Sequence, residues 1–380
     1  MILVTGATGH LGNNFLRTLL QAEAKKAAAA TALRIFVPPG ERLDCLDGLS
    51  FELCYGDIRR AEDLDRACQG VDYVYHLAGL VDIAPKNDQA LKAINVLGTR
   101  NVVEACLRHG VRRLVYVSSI HALPDLPKDQ TIRELDARAF PNPDLLGPYA
   151  RSKSEATAEV YRGVAQGLDA VLIFPTGIIG PGDYRASQFG KVLLHLLHKR
   201  RARRLFCFEG AYDFVDVRDV SEAILAAMER GRSGEGYIIS GHRLSIAELY
   251  KTVFSFLGRQ SVKLIFLPLR LVRFAASLVL RLARICHRKP FFTPYSIDVL
   301  KSNSQVDHSK AQRELGYRPR PIQETLEETL AWLYQREALE LLHSQWKANR
   351  RRRSKARKAR LRRLQSKLET ARLGTSKQEP

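Results

Sequence analysis

The chain opens MILVTGATGHLG. A short apolar run, Met1–Thr5, ends at a glycine, and Gly6, Gly9 and Gly12 follow at three-residue spacing as a segment of helical periodicity, Leu11–Ala24, begins. Few folds accept that order. A strand must turn sharply into a helix, and glycine permits backbone angles that a side chain would forbid. The same turn brings backbone N–H groups and the positive end of a helix to one point, which suits a pyrophosphate. An ordinary tight turn can also carry three glycines; the strand before and the helix after make the pattern specific.

Downstream, short apolar runs alternate with helix-like stretches. Leu33–Val37, Phe51–Tyr55, Tyr73–Leu77, Arg113–Val117 and Ala170–Phe174 read as strands, and Asn87–His109 and Pro148–Gly167 as helices. In the first of these helices Ala90, Leu91, Ile94, Leu97, Val102 and Ala105 share helical spacing. Repeated strand–helix–strand units predict an α/β fold: a doubly wound parallel sheet of Rossmann type, with helices on both faces and right-handed crossovers. The expected organisation is an NAD(P)-binding core over 1–174, a smaller, mainly substrate-binding C-terminal lobe over 175–335, and a basic tail, helical or loose, over 336–380. The Ala-rich stretch 24–32, AKKAAAATA, reads as a helix end or an insertion without chemistry.

Hydrophobic residues make up 45% of the 380, enough for a sizeable core, and no uninterrupted apolar run is long enough to span a bilayer. No basic stretch precedes the apolar start, so a cleaved signal peptide is not expected. Six cysteines, at 45, 54, 68, 106, 207 and 286, include no CxxC pair. That speaks for thiols in a reducing cytosol rather than disulfides or zinc. No metal site is expected, since no histidines stand at a trusted ligand spacing. The net charge of +20 is uneven: from Lys347 to Arg372, thirteen Lys or Arg stand against one Glu.

The other half of a dinucleotide is read at the end of the second strand, FVPPGER. A carboxylate there accepts from a free ribose 2′-hydroxyl, whereas an arginine pairs with a 2′-phosphate. Pro38 and Pro39 occupy the usual place, and Glu41 and Arg42 behind them point to opposite cofactors. NADP and NAD both stay open. The lack of an acid directly after the strand tips the expectation slightly to NADP, with Arg42 as its contact.

With TGATGHLG (5–12), YGDI (55–58), HLAG (76–79), NVLGT (95–99), VYVSSIHAL (115–123), YARSK (149–153), PTGIIGPGD (175–183) and FVDVRDV (214–220) in this order, the sequence resembles the extended short-chain dehydrogenase/reductases, the NAD-dependent epimerase/dehydratase family. The resemblance covers residues 1 to about 335, and GPGD with the short FVDVRDV is most similar to the dihydroflavonol reductase and 3β-hydroxysteroid dehydrogenase-like branches. It implies roles by position. Gly6, Gly9 and Gly12, with His10 and Leu11 between them, match the diphosphate loop. Asp57 and Ile58 match the pair that holds the adenine, Ala78 and Gly79 the stretch lining the cofactor after the fourth strand, and Pro175 and Gly177 the loop against the nicotinamide. Tyr149 and Lys153 match the catalytic YxxxK pair, and Ser119 the catalytic serine.

These residue types suit hydride transfer between an alcohol and a ketone. A free phenol has a pKa of about 10, too high for an easy base near neutrality. A cation one helical turn away favours the phenolate, and residues i and i+4 share a helix face. Ser119 would donate to the substrate oxygen and stabilise its developing charge. Ser118, the neighbouring strand residue, would then face the opposite side. Pro148 after Gly147 fits a helix start. His121 either reaches the substrate pocket or makes a local loop hydrogen bond, the second being the commoner outcome. Asn95 either organises a relay water or bonds to backbone, and Asp216 and Asp219 read as a structural clasp.

The expected enzyme is therefore an NAD(P)-dependent oxidoreductase with a small-molecule substrate. One alternative is a nucleotide-sugar epimerase or dehydratase that retains NAD and holds the sugar diphosphate with cations such as Arg185, Lys191 and Arg218. Another is a catalytically silent cofactor-binding scaffold whose tail associates with a membrane or RNA; the intact Ser119, Tyr149 and Lys153 speak against it. Residues 264–289 carry Arg270, Arg273, Arg281, Arg284 and Arg288 on one stripe of an apolar helix. They read either as a helix of the substrate lobe or as one lying on an anionic membrane surface. In the tail, Leu361, Leu364 and Leu368 recur among basic residues, a pattern that suits polyanions without sequence-specific nucleic acid recognition. A cytoplasmic protein, peripheral to a membrane through these segments, is the expected location, and the reading leaves room for a homodimer.

Overall fold

Strand β1, Ile2–Thr5, is buried at all its positions and pairs in parallel with β2 (Leu33–Val37) on one side and β4 (Tyr73–His76) on the other. Beyond β2 lies β3 (Glu52–Tyr55); beyond β4 lie β5 (Arg113–Val117), β6 (Ala170–Pro175) and β10 (Gly236–Ile239). Every pairing in this seven-stranded sheet is parallel. The strand order reverses direction between β1 and β4. In open sheets of this kind, the crevice beyond the carboxyl ends of the strands at that switch is where ligands bind. The computed structural model describes residues 1–25, 32–81, 88–127, 129–199, 204–259, 262–285 (281–285 as backbone), 297, 300 and 305–337. Most of the Ala-rich stretch, Arg288, the side chains of Arg281 and Arg284, and the basic tail from residue 338 lie outside them.

Helices cover both faces. Phe15, Leu16 and Leu19 of α1 (His10–Lys25), Val220, Ala223 and Ile224 of α7 (Val217–Arg230) and Leu315 of α10 (Ser309–Leu315) share one core with the side chains of one face of the sheet, among them Val4, Ile35, Val115 and Ile173. Leu64 of α2 (Ala61–Cys68), Val102 and Val103 of α4 (Gly98–Arg108) and Val160 of α5 (Pro148–Ala165) form the other core. The helix expected over Asn87–His109 is α3 (Asp88–Leu91), a π-helical stretch Lys92–Leu97, and then α4; Asn87 itself lies outside the described residues. A π segment inside a helix commonly marks a functional site, and this one carries Asn95.

Strands β7 (Gly177–Ile179), β9 (Ala211–Asp216) and β11 (His242–Ser245) form a three-stranded sheet, and β8 (Arg204–Cys207) pairs with β12 (Lys263–Phe266). Helices α6 (Gln188–His198), α8 (Ile246–Phe256) and α9 (Leu269–Ile285) accompany them. The stretch 175–335 also completes the first sheet, because β10 and α7 come from it. Strand β10 has a weak sequence pattern: it is four residues long and begins at Gly236, where a side chain would meet the Phe174 ring at 2.6 Å. Asp216 and Asp219 form the expected clasp. Asp216 caps α7 through Arg218 N at 2.8 Å, and Asp219 accepts from Arg320 Nε at 2.6 Å. By contacts the chain divides into Met1–Leu330 and Ala331–Pro380. Of the second unit, 331–337 are described, as helix, with Arg336 5.3 Å from the Trp332 ring centre.

The glycines of the first turn differ in what they do. Gly6 has φ +75°, and a side chain there would strike the Ala78 backbone at 2.5 Å. A methyl group on Gly12 would lie 2.1 Å from the Gly6 carbonyl oxygen, whereas on Gly9 it would reach that oxygen only at 3.4 Å. Gly12→Ala should therefore destabilise the protein by about 1–3 kcal/mol, as overpacking does. Gly9→Ala should change stability by no more than about 1 kcal/mol. Urea unfolding of the two variants checks the order; equal losses would contradict it.

Candidate active site

Helix α5 begins at Gly147-Pro148, where the proline lacks an N–H that the first turn would leave unpaired. Tyr149 and Lys153 both lie on its buried side. The Lys153 ammonium donates to the Val117 carbonyl at 2.9 Å and to the Tyr116 hydroxyl at 3.3 Å, and it lies 5.0 Å from the centre of the Tyr116 ring. Burial pulls its pKa down to about 7. The consequence reaches the neighbouring strand end. His76 is buried between Thr5 Oγ1 at 2.7 Å and Thr99 Oγ1 at 3.0 Å, and burial, reinforced by the Lys153 charge, pushes it down to about 3. It is a neutral crosslink between β1, β4 and α4.

Ser118 and Ser119 part company at the end of β5. The Ser118 hydroxyl lies 2.7 Å from Thr157 Oγ1, inside the packing of α5 on the sheet. Ser119 has extended backbone, turns its side chain the other way and accepts from His121 N at 3.2 Å. The His121 ring meets Tyr149 edge-on at 6.0 Å between centroids, stacks on Tyr212 at 5.9 Å and places Nε2 2.9 Å from the Tyr212 hydroxyl. Burial holds His121 down at about 4, so it is neutral. The rings continue through Phe214, 5.5 Å from Tyr212, to Phe189, 4.5 Å from Phe214. His121 makes both a local bond, from its N–H to Ser119, and a longer-range one to Tyr212 beside Tyr149.

The other expected residues gather along the strand ends. Gly6, Gly9, His10, Leu11 and Gly12 form the turn from β1 into α1, and His10 Nε2 is 3.1 Å from the Pro181 carbonyl. Ala78 and Gly79 follow β4, and a methyl on Gly79 would lie 3.6 Å from both Lys153 Nζ and Asn95 Oδ1. Asn95 bonds to backbone: Oδ1 accepts from Leu80 N at 2.7 Å, and Nδ2 donates to the Leu80 carbonyl at 3.1 Å and to Ser152 Oγ at 3.0 Å. It ties the cofactor-side loop to α5. Asp57 and Ile58 follow β3. The Asp57 carboxylate accepts from Arg59 Nε at 2.9 Å, which holds it below the ordinary carboxylate range, and the Ile58 carbonyl accepts from Asn101 at 3.0 Å. Pro175 ends β6, and Gly177 begins β7 so close to Tyr212 and Phe214 that a side chain would meet either ring at 2.8 Å. A dinucleotide fits this row: a glycine turn at a helix N-terminus, a bare backbone at Gly79 beside an ammonium, and the switch point between them.

Several residues here were not read from the sequence. Tyr116 shares a strand face with Ser118 by simple alternation, the one signal that pointed to it. Tyr212 and Asp213 reach the site only through tertiary packing; Asp213 accepts from Thr176 Oγ1 at 2.6 Å and from Gly241 N at 2.9 Å, fixing the loop after β6, and burial pushes its carboxyl up. At the ribose end, Arg42 is turned outward, its side chain 81% exposed and paired with Asp44 at 3.0 Å. Glu41 instead accepts from Thr8 Oγ1 at 2.9 Å and is paired with Arg185. Arg218 is likewise paired, with Asp216 and Glu328.

Similarity to known proteins agrees with this arrangement. The sequence profile of the NAD dependent epimerase/dehydratase family matches residues 2–240. The chain is 35% identical over 337 residues to the sterol demethylase protein B of Methylococcus capsulatus, covering 88% of this chain and 98% of that protein. It is 29% identical over 355 residues to the 3 beta-hydroxysteroid dehydrogenase type 7 of Homo sapiens, covering 83% and 90% respectively. The crystal structure of gox2253 superposes with a TM-score of 0.72 at 28% identity, over 88% of this chain and 98% of the other. This chain therefore belongs to the NAD dependent epimerase/dehydratase family of extended short-chain dehydrogenase/reductase enzymes.

Proposed function

We propose that the protein is an oxidoreductase that interconverts a secondary alcohol and a ketone on an apolar, ring-bearing substrate. The observation that carries this reading is the aromatic wall running from Tyr149 through His121, Tyr212 and Phe214 to Phe189. A rigid apolar skeleton gains from such a surface. A sugar diphosphate instead calls for cations open to its oxygens. Of the three considered for that role, Arg185 and Arg218 are committed to carboxylates, and Lys191 sits at an exposed position of α6. Similarity to proteins named for a sterol and for a hydroxysteroid supports the same substrate class.

When bound, the nicotinamide supplies the hydride acceptor for oxidation. Tyr149 takes the hydroxyl proton of the substrate. Lys153 favours the phenolate by its charge, and its two protein acceptors leave one of its three donors for a ligand. Ser119 receives its hydrogen bond from the His121 N–H, so its own hydroxyl hydrogen is available to the substrate oxygen. His121 and Tyr212, both outside the proton path, shape the wall. The family is NAD dependent, and the outward turn of Arg42 together with the inward position of Glu41 favours NAD over the NADP that Pro38 and Pro39 suggested.

Tyr149→Phe should lower turnover of a cyclic secondary alcohol by roughly 100- to 10,000-fold, with NADH binding largely retained. Accumulation of NADH with ketone supports the reading; isomerisation of a UDP-sugar without net cofactor turnover would replace it with the epimerase. Lys153 gives a second expectation. The unfolded lysine keeps its proton to about 10.5, whereas the folded one releases it near 7. Between these values the unfolded state binds more protons, so wild-type stability rises with pH. Lys153→Met should thus be most stabilising, relative to wild type, at or below pH 7, with the difference shrinking toward pH 10. A difference independent of pH in thermal melts would contradict the burial of a titrating ammonium.

We further propose that α9 rests on an anionic lipid surface. Val272, Ala276 and Leu280 are turned toward the protein, whereas Leu271, Phe274 and Leu278 are exposed, with Arg270 and Arg273 beside them. Residues 264–289 contain no acidic residue. Such a pairing of apolar and basic stripes suits a headgroup boundary. Among the described residues no helix is long and apolar enough to cross a membrane. The full chain should co-sediment with phosphatidylglycerol vesicles, and Phe274→Glu/Leu278→Glu should remove the part of that binding that survives 0.5 M salt. Unchanged salt-resistant binding would assign it elsewhere.

A further inference from the structure

Thr8 lies in the first turn, Glu41 four residues past β2, and Arg185 in the segment after β7, yet the three meet at one carboxylate. The segment bearing Arg185 is clamped to the start of α1. Asn13 Nδ2 donates to the Gly182 carbonyl at 3.0 Å, Asn14 Nδ2 to the Pro181 carbonyl at 3.1 Å, and Ser187 N to the Asp183 carboxylate at 2.8 Å. Arg185 also donates to the Arg42 carbonyl at 3.4 Å. The Glu41 side chain is 16% exposed and the Arg185 side chain 49%, so the carboxylate is largely enclosed while the guanidinium is open to solvent on one side.

In folds of this type the adenosine ribose sits between the glycine turn and the end of β2. A carboxylate bonded to the glycine-turn Thr8 stands at that place, although Pro38 and Pro39 have displaced it from the strand end itself. We propose that Glu41 and Arg185 act together as the selector for the 2′ position of the cofactor. Glu41 accepts from the free 2′-hydroxyl of NAD. Arg185 holds the carboxylate from its other side and, while so engaged, is withheld from a 2′-phosphate. NADP meets like charge at Glu41 and must separate the pair before Arg185 can serve it. Arg185 is thus a positioning residue in the wild type and a latent phosphate contact when Glu41 is removed.

The inference rests on the dinucleotide site and not on the proposed reaction, so binding is the readout. Isothermal titration of the full chain with NADH and NADPH, without substrate, should show NADH tighter by roughly tenfold to a hundredfold, the range of one charge-assisted hydrogen bond. Glu41→Ala should invert or abolish that ratio by tightening NADPH. Glu41→Gln, which keeps the shape and the Thr8 contact, should move the ratio in the same direction. The double variant Glu41→Ala/Arg185→Ala should lose the NADPH gain. Tighter NADPH binding in the wild type, an unchanged ratio in both Glu41 variants, or a gain that survives loss of Arg185 would overturn the proposal.

Discussion

An ammonium taken out of water is the interaction around which the site is organised. Placing a cation in a poorly polarisable interior is unfavourable unless the protein supplies acceptors, and the fold supplies them from one strand: the Val117 carbonyl, the Tyr116 hydroxyl and the Tyr116 ring. The positions of α5 on the sheet and of Tyr149 follow from that anchorage, since the tyrosine rides one turn away on the same helix. The charge also dictates its surroundings. A second cation nearby would be repelled, and His76, buried at the end of the adjoining strand, stays neutral and is used instead as a two-ended crosslink between threonines.

The remaining parts of the site are held by constraints of the same local kind. The strand order reverses between β1 and β4, and the glycine turn, the bare backbone at Gly79 and the lysine gather at the carboxyl ends of the strands there. Asn95 spends its amide on the loop after β4 and on Ser152 of α5, which ties that loop to the helix bearing Tyr149 and Lys153. Asn95 lies within the π-helical stretch and is buried there. On the opposite side, β7 and β9 bring Gly177, Tyr212 and Phe214 into mutual contact, with Asp213 fastening the loop between β6 and β7.

Much of this was legible in the sequence, for identifiable reasons. Buried parallel strands are short apolar runs, and β1, β2, β5 and β6 stand out as such. Alternation along β5 was enough to separate Ser119 from Ser118 once the strand was found. Spacing of four set Tyr149 and Lys153 on one face of α5, where both are buried. What escaped depends on contacts between distant segments. Strand β10 begins at a glycine required by the Phe174 ring, which hides its pattern. Tyr212 is one tyrosine of thirteen until β9 carries it beside His121. Glu41 and Arg42 are adjacent in the chain, and only the turn closed by Glu41 N on the Pro38 carbonyl, with Arg185 arriving from elsewhere, decides which is drawn in against Thr8.

The proposal's central claim is that one proton leaves the Tyr149–Lys153 pair near neutrality and that the phenol, not the lysine alone, gives it up. Groups that interact release their protons as a pair, so the identity of the group that loses one has to be seen directly. Phenolate absorbance at 295 nm, followed with pH and taken as the difference between wild type and Tyr149→Phe, isolates that one ring from the other tyrosines. Burial pushes Tyr75, Tyr116, Tyr161 and Tyr317 upward, which keeps those four out of the window below pH 10. The account predicts a phenolate signal rising well below 10 that vanishes when Lys153 is replaced by Met. A difference spectrum that stays flat until pH 10 would contradict it.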